Sequence, residues 1–331
     1  MSENVCHIKF VTWIEGVLEV LFLLVSNFKL QLMDGTDEAV GAVILAIGAP
    51  AYQPTEYNYG TDAKVKTNIE VENEIADGKF NAKDVAFIQC VGSRNDKVSY
   101  CSRVCCTSSL RNAIAIKLAD PTANVTIFHK DIRSYGFREE MYRKACEVGV
   151  RFLRYEEDQP LPAYDGNNVT AYDATLGADL TVPVDCVVLA NGITPAREEK
   201  EVIAKMLKVP ISKDGFYFEA HQKLRPVDFA TEGVYVAGLA HWPKHMDECL
   251  AQGSGAASRA LTVISKEFLT SEGIVASVNE AYCDGCGVCE GCCDYKAITI
   301  VETDAGLKSN VNAGLCKGCG CCVASCPAGA M

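Results

Sequence analysis

Two stretches of the chain, CDGCGVCEGCCD beginning at Cys283 and CKGCGCCVASCP beginning at Cys316, use one spacing twice. Cys283, Cys286, Cys289 and Cys293 stand as C-x2-C-x2-C-x3-C; Cys316, Cys319, Cys322 and Cys326 repeat it, and Pro327 follows. Ten of the 18 cysteines lie in these two stretches. Disulfides are one way to use them. The chain, at 331 residues and 49% apolar, is large enough to build a core without staples. No export signal is visible, and the cysteines come in C-x-x-C steps rather than dispersed pairs. A reducing cytoplasm and metal ligation fit that pattern better.

This run is the spacing of two-cluster ferredoxins, in which three thiolates at three-residue steps wrap one face of a cubane and the fourth points to the other cluster. The expectation is one [4Fe-4S] cluster on Cys283, Cys286, Cys289 and Cys326, and a second on Cys316, Cys319, Cys322 and Cys293. Zinc is the competing ligand of paired C-x-x-C units, and the duplicated eight-cysteine spacing with its terminal proline argues against it. Gly285, Gly287, Gly318 and Gly320 let backbone amides approach the sulfides and supply positive φ. KAITIVET, between the runs, alternates apolar side chains and reads as a short strand. Asp294 stands where the first run would carry proline, adding charge near a cluster. Cys292 and Cys321 are surplus, since using either would break the x2/x3 geometry. Such a domain usually closes with a strand pairing its first one, which is expected here from elsewhere or from a partner.

The body of the chain reads differently. EAVGAVILAIGAP (38–50), VDCVVLANGITP (184–195) and EGVYVAGLA (232–240) are apolar runs ending in glycine, and the last feeds the small-residue helix AQGSGAASRALTVI. Small residues allow a helix to approach a strand or cofactor closely. The arrangement recurs in flavoproteins of the glutathione and thioredoxin reductase type; a plain α/β domain with glycine at its strand ends is the competing reading. Between these markers, KDVAFIQCVG, SRVCCTSSLRNAIAIKLAD, NVTIFHKDI, REEMYRKACEVG and VRFLRYE read as β-α-β-α-β, the first half of a dinucleotide-binding domain.

That half-domain lacks G-x-G-x-x-G after its first strand. In its place stand Gln89-Cys90-Val91-Gly92-Ser93-Arg94, then Cys101, Cys105 and Cys106 at the start of the helix. Helix N-terminal amides that would receive a pyrophosphate can equally stabilise thiolates and an anionic cluster. A third [4Fe-4S] cluster on Cys90, Cys101, Cys105 and Cys106 is therefore expected. Their spacing, C-x10-C-x3-C-C, is not a common ligand signature, and buried structural cysteines or a redox disulfide remain open.

Other chemistry finds little support. Lys plus Arg number 31 against 43 Asp plus Glu, a net charge of -12 that argues against a nucleic-acid surface. The early run GVLEVLFLLVSNF is too short in its apolar centre, Val20 to Val25, to span a bilayer, and reads as a buried strand or interface segment, with a monotopic membrane contact as the competing reading. No Ser-His-Asp set and no phosphate-binding G-x-x-x-x-G-K-S/T loop is visible.

Taken together, CVGSR with YCSRVCC, LRNAIAIK, VTIFHKDIRSYG and GVRFLR resemble the A subunit of heterodisulfide reductase and its relatives. YVAGLAHWPKHMDECLAQGSGAASRA is similar to that family's second FAD-contacting segment, and the duplicated ferredoxin run follows as it does there. The resemblance covers about residues 38–331, with a weaker match in WIEGVLEVLFLLVSNFKLQL. It implies a thioredoxin-reductase-like FAD domain, a cluster on the cysteines matching Cys90, Cys101, Cys105 and Cys106, and ferredoxin-type clusters. It also implies soluble or peripheral complexes with partner oxidoreductases, anaerobic metabolism and flavin-based electron bifurcation.

The family's larger members begin with a strand, G-x-G-x-x-G and a helix that hold the FAD pyrophosphate, and no such segment occurs here. Gly48, Gly238, Lys244 and Gln252 are the expected flavin contacts, with His241 and His245 nearby; a solvated loop is the competing reading for HWPKHMDE. FAD is expected to be shared with a partner chain that supplies the missing element, with flavin-free packing and occupation by this chain alone as the alternatives. The expected architecture is an α/β pair of thioredoxin-reductase-like dinucleotide folds: a partial FAD region (1–80 and 181–272) and a cluster-bearing dinucleotide fold (81–180). A two-cluster ferredoxin domain (273–331) follows. The expected role is one of electron transfer within a larger assembly, with ferredoxin a further possible partner; a complete flavoenzyme and a structural iron-sulfur scaffold are the alternatives.

Overall fold

The computed structural model describes residues 17–24, 27–32, 36–155, 160–173, 175–195, 197–266 and 274–331. Along the chain, β1 (Val17–Leu24), β2 (Asn27–Leu32), β3 (Asp37–Val40) and β4 (Val43–Leu45) precede β5 (Val65–Thr67) and α1 (Asn68–Ala76). Next come β6 (Asp84–Val91), α2 (Cys105–Ala119), β7 (Asn124–His129), α3 (Glu139–Glu147) and β8 (Arg151–Arg154). β9 (Ala163–Tyr164), β10 (Asn168–Asp173), β11 (Ala178–Pro183) and β12 (Cys186–Asn191) lead to α4 (Arg197–Leu207), β13 (Val234–Val236) and α5 (Met246–Ile264). The cysteine-rich end holds α6 (Val288–Gly291), β14 (Ile298–Thr303), β15 (Gly306–Val311) and α7 (Cys321–Ser325).

These elements form two compact units. One comprises 49–195 with 243–245, and the other the remaining residues. The first is built on a parallel sheet of order β5-β12-β6-β7-β8. β6 reads DVAFIQCV and is buried along most of its length, as a strand covered on both faces must be. Its side chains alternate between two cores. Val85 and Phe87 pack with Leu110, Ala113 and Ile116 of α2, whereas Ala86 and Ile88 pack with Val169, Ala171 and Val182 from the antiparallel sheet β11-β10-β9. Thr67 and Glu70 start α1 with a reciprocal capping box. The expected β-α-β-α-β run is present as β6, α2, β7, α3 and β8.

The division between units differs from the 80/81 and 180/181 boundaries read from the sequence. Those boundaries put β5 and β12 with the FAD-like region, yet both strands hydrogen-bond into the parallel sheet. An apolar run ending in glycine fixes a strand but not its neighbour, which is a non-local choice. The expected 272/273 boundary lies outside the described residues, as do Val25 and residues 13–16 of the early segment.

In the other unit, β1, β2 and β3 form an antiparallel sheet, so much of the early apolar run is a strand. β4 and β13, which fall in two of the apolar runs read as strands, pair in parallel, and the small-residue helix α5 follows β13. Phe28, Leu45, Leu207, Phe229 and Val236 share its main core. β14 and β15 form an antiparallel hairpin through the KAITIVET strand. No helix among the described residues is long and apolar enough to cross a membrane.

Candidate iron-sulfur and flavin sites

The two C-terminal runs fold as near copies. Cys289 and Cys322 sit in short helices, α6 and α7, each preceded by a left-handed glycine, Gly287 and Gly320. Gly285 and Gly318 also have positive φ, and a Cβ on them would stand 2.4 Å from the Leu307 carbonyl oxygen and 2.5 Å from that of Ile274. Only glycine fits where the loop is pressed onto neighbouring backbone.

Cys283, Cys286 and Cys289 of the first run line one cavity together with Cys326 of the second, an open space of about 270 Å³. Cys316, Cys319 and Cys322 line another with Cys293, about 570 Å³, into which Cys321 also opens. Backbone amides donate to these sulfurs: Ser309 to Cys283 (3.4 Å), Ala297 to Cys293 (3.4 Å), Ala276 to Cys316 (3.3 Å) and Ala330 to Cys326 (3.3 Å). The amides of Ser309 and Gly285 hold the Cys283 thiol below its usual range, and that of Ala330 does the same for Cys326. Ser309, buried on β15, also places its hydroxyl 3.0 Å from Cys289 Sγ and 3.7 Å from Cys283 Sγ. Nothing in the sequence marks this serine.

The central cysteines gather at the carboxyl edge of the parallel sheet, beside the point where β7 and β12 leave β6 in opposite directions. Cys90, next to last in β6, has φ 64°, and Arg94 and Arg103 are left-handed too. Gly92 is left-handed against Tyr52, whose ring a Cβ would meet at 2.1 Å. Ser102 Oγ accepts from the Ile193 amide (2.8 Å), tying the loop before α2 to the loop after β12. Cys101 Sγ accepts from the Arg103 amide at 3.2 Å. Cys105 and Cys106 open α2, whose first-turn amides point toward the same edge. All four thiols interact electrostatically as one set. Burial pushes the Cys105 and Cys90 thiols up and that of Cys106 to about 12.

Among the described residues, no three His, Cys, Asp or Glu side chains converge as they must to bind one metal ion. A cubane is gripped at four separate irons, so its thiolates stand apart around a space. The donor chemistry suits such a group: thiols lining open cavities, amides donating to sulfur, and orphaned buried polar atoms beside the central set. Among the described residues, neither Nε2 nor Oε1 of Gln89, nor Thr107 Oγ1, nor His129 Nδ1 has a hydrogen-bond partner. Burying such groups unsatisfied costs about 1–3 kcal/mol each.

The flavin candidates are distributed less tightly. Gly238 (φ 69°) follows β13, and its amide donates to Gln252 Oε1 at 2.9 Å. Gln252 Nε2 therefore donates to His241 Nδ1 (2.7 Å), and His241 Nε2–H to Glu219 (2.7 Å), a single chain of bonds from β13 to a buried carboxylate. Gly48 is left-handed (φ 73°) with open space where a Cβ would stand. Lys244 and His245 are buried and grouped with the parallel-sheet unit, not with Gly48, Gly238 and Gln252. His245 lies 5.6 Å, ring to ring, from Tyr135.

No protein-family model matches the chain. It is 41% identical over 290 residues to the second iron-sulfur A subunit of CoB–CoM heterodisulfide reductase from Methanopyrus kandleri, an alignment covering 81% of this chain and 44% of that protein. It is 43% identical over 286 residues to the A subunit of the H2:CoB-CoM heterodisulfide,ferredoxin reductase of Methanothermobacter thermautotrophicus, covering 80% and 43%. The chain thus spans less than half the length of these curated relatives. Among solved structures, a thioredoxin reductase of T. acidophilum overlays 72% of this chain and 70% of its own at 16% identity, with a TM-score of 0.44.

Proposed function

The chain belongs to the family of the heterodisulfide reductase A subunit, which it matches over about four-fifths of its length, and on that premise we propose that it relays electrons within a multi-subunit oxidoreductase, with three [4Fe-4S] clusters and a share in one FAD. The observation that carries this reading is the crossed lining of the two C-terminal cavities, each by three cysteines of one run and one of the other. When bound, the clusters supply one-electron transfer, and the flavin exchanges electron pairs for single electrons.

The residues of the chain hold and tune these groups. Cys283, Cys286, Cys289 and Cys326 hold one cluster, Cys316, Cys319, Cys322 and Cys293 the second, and Cys90, Cys101, Cys105 and Cys106 the third. Amides from Ser309, Ala297, Ala276 and Ala330 stabilise sulfur negative charge. The left-handed Gly48 and Gly238, with Gln252 fixed by His241, leave backbone open to a flavin beside β4 and β13. The phosphate-cradling strand, G-x-G-x-x-G and helix are not among these 331 residues, and residues outside them complete the FAD site. None of these residues makes a catalytic set, and the role is relay between partner redox proteins, ferredoxin among the candidates, within the cytoplasm.

The test is anaerobic purification of the native complex and of the chain alone, with flavin counted against the chain and the clusters titrated with low-potential donors. Flavin in the complex but little in the lone chain, and clusters that change oxidation state, are expected. Flavin in neither sample would remove the shared site. Clusters that stay in one oxidation state would leave a scaffold, and substrate turnover by the lone chain would make it a complete flavoenzyme.

A further inference from the structure

Gln89 is 2% exposed and stands one residue before Cys90 at the end of β6. Alternation places its side chain on the face of Val85 and Phe87, which is the face covered by α2. His129 ends the neighbouring strand β7, one step beyond the Ile88–Phe128 register pair, on the same face as Val125 and Ile127. Both residues therefore lie at the carboxyl edge of the sheet on the side from which Cys105 and Cys106 of α2 approach. Two further contacts fix this corner: the Tyr155 hydroxyl donates to the Gln89 carbonyl (3.3 Å), and Cys106 Sγ points at the Asp131 carbonyl (3.9 Å), two residues past His129.

Among the described residues, the Gln89 amide has no hydrogen-bond partner at either end, and His129 Nδ1 and Thr107 Oγ1 on the first turn of α2 also lack one. A buried carboxamide can give two N–H bonds and accept others. A site that keeps it dry and unpaired beside four cysteines, where leucine or methionine would fill the same volume, needs something to receive those N–H groups. Sulfur with negative charge is the acceptor that this corner offers, and hydrogen bonds to cluster sulfurs are one of the levers that set reduction potential.

We propose that Gln89 is a positioning residue that donates its side-chain N–H to the sulfur cage held by Cys90, Cys101, Cys105 and Cys106 and thereby raises that cage's reduction potential, with His129 packed beside it. The inference rests on the central cluster proposed above. Nothing in the sequence points to it: a glutamine at a strand end has no motif.

The test uses the full chain, purified without air, as wild type, Gln89→Leu, Gln89→Asn and Cys101→Ala. Iron and labile sulfide are counted, each cluster's midpoint is followed by electron paramagnetic resonance, and pulsed spectra are recorded on reduced protein carrying 15N in its glutamine side chains. Gln89→Leu keeps the wild-type iron count and moves one midpoint to more negative potential. At the wild-type midpoint, its reduced-to-oxidised ratio falls about five- to tenfold, while the other clusters stay in place. The 15N coupling seen in the wild type disappears, and Gln89→Asn, which keeps a side-chain amide, shifts the midpoint less than Gln89→Leu. An unmoved midpoint at full iron content would overturn the inference. If Gln89→Leu does not fold, the wild-type spectrum decides, and no glutamine 15N coupling to any cluster would overturn it equally. An iron count unchanged by Cys101→Ala would instead remove the central cluster itself, a failure of the parent reading that these data separate from this one.

Discussion

At the C-terminal runs, Cys283, Cys293, Cys316 and Cys326 each accept a backbone N–H, and the thiols of Cys283 and Cys326 are held below their usual range, although burial pushes that of Cys322 up. In the central set, Cys101 accepts one such bond and the Arg133 amide favours the Cys106 thiolate, yet burial outweighs this and pushes Cys90, Cys105 and Cys106 the other way. The first region stabilises anionic sulfur with its own loops, wrapped by left-handed glycines. The second keeps Cys105 and Cys106 buried at a helix N-terminus, with Cys90 and Cys101 half-buried, where negative sulfur is tolerated once a positive metal core balances it. A sequence with one kind of ligand thus builds two kinds of site, one whose polarity precedes the metal and one that depends on it.

The largest effect that would break this comparison is loss of a ligand across the crossed pair. Cys326→Ala is expected to damage the cluster of the first run, and Cys293→Ala that of the second, each removing about four irons of roughly twelve. Electron paramagnetic resonance on the two reduced variants should show different missing signals. The same signal missing from both would mean that the runs are not crossed.

Backbone fit should separate the regions next. Alanine at Gly285 incurs left-handed strain of about 1–3 kcal/mol, and its Cβ meets the Leu307 carbonyl, which cannot yield without disturbing the Glu302–Leu307 register of the hairpin. Gly92→Ala incurs similar strain but meets the Tyr52 ring, a side chain rather than paired backbone. Chemical denaturation should find Gly285→Ala the more destabilised, and equal losses would remove the distinction.

A smaller effect is pH-dependent. A thiol held low is thiolate at lower pH, and one pushed up stays protonated until higher pH. In metal-free chain, iodoacetamide should label Cys326 readily near pH 8, whereas Cys106, with its thiol at about 12, stays unlabelled there. Peptide mapping across a pH series checks the order, and equal labelling of the two would contradict it.

The smallest concerns Ser309. Its hydroxyl lies beside two sulfurs of one cavity, so Ser309→Ala should shift a single midpoint slightly to more negative potential, with iron content unchanged.

Much of this was legible in the chain itself. The crossed quartets follow from counting residues, and β6-α2-β7-α3-β8 follow from apolar runs of strand length alternating with an amphipathic pattern. What was not legible is non-local. VDCVVLANG announces a strand, yet only tertiary packing places it between β5 and β6. The sheet β11-β10-β9 covers one face of the parallel sheet without any motif, and Ser309, Gln89 and His129 become meaningful only through what stands beside them. The flavin candidates show the same limit, since Lys244 stands only six residues after Gly238 in sequence but falls in the other compact unit from Gly238 and Gln252.

The central claim is that the cysteine set beside the end of β6 holds a cluster of its own, as the two C-terminal sets do. Iron and acid-labile sulfide counted on anaerobically purified wild type and Cys101→Ala test it most directly. The account predicts about twelve irons in the wild type and about eight in the variant, from clusters of four irons each. About eight in both would contradict it and leave Cys90, Cys101, Cys105 and Cys106 as buried structural thiols.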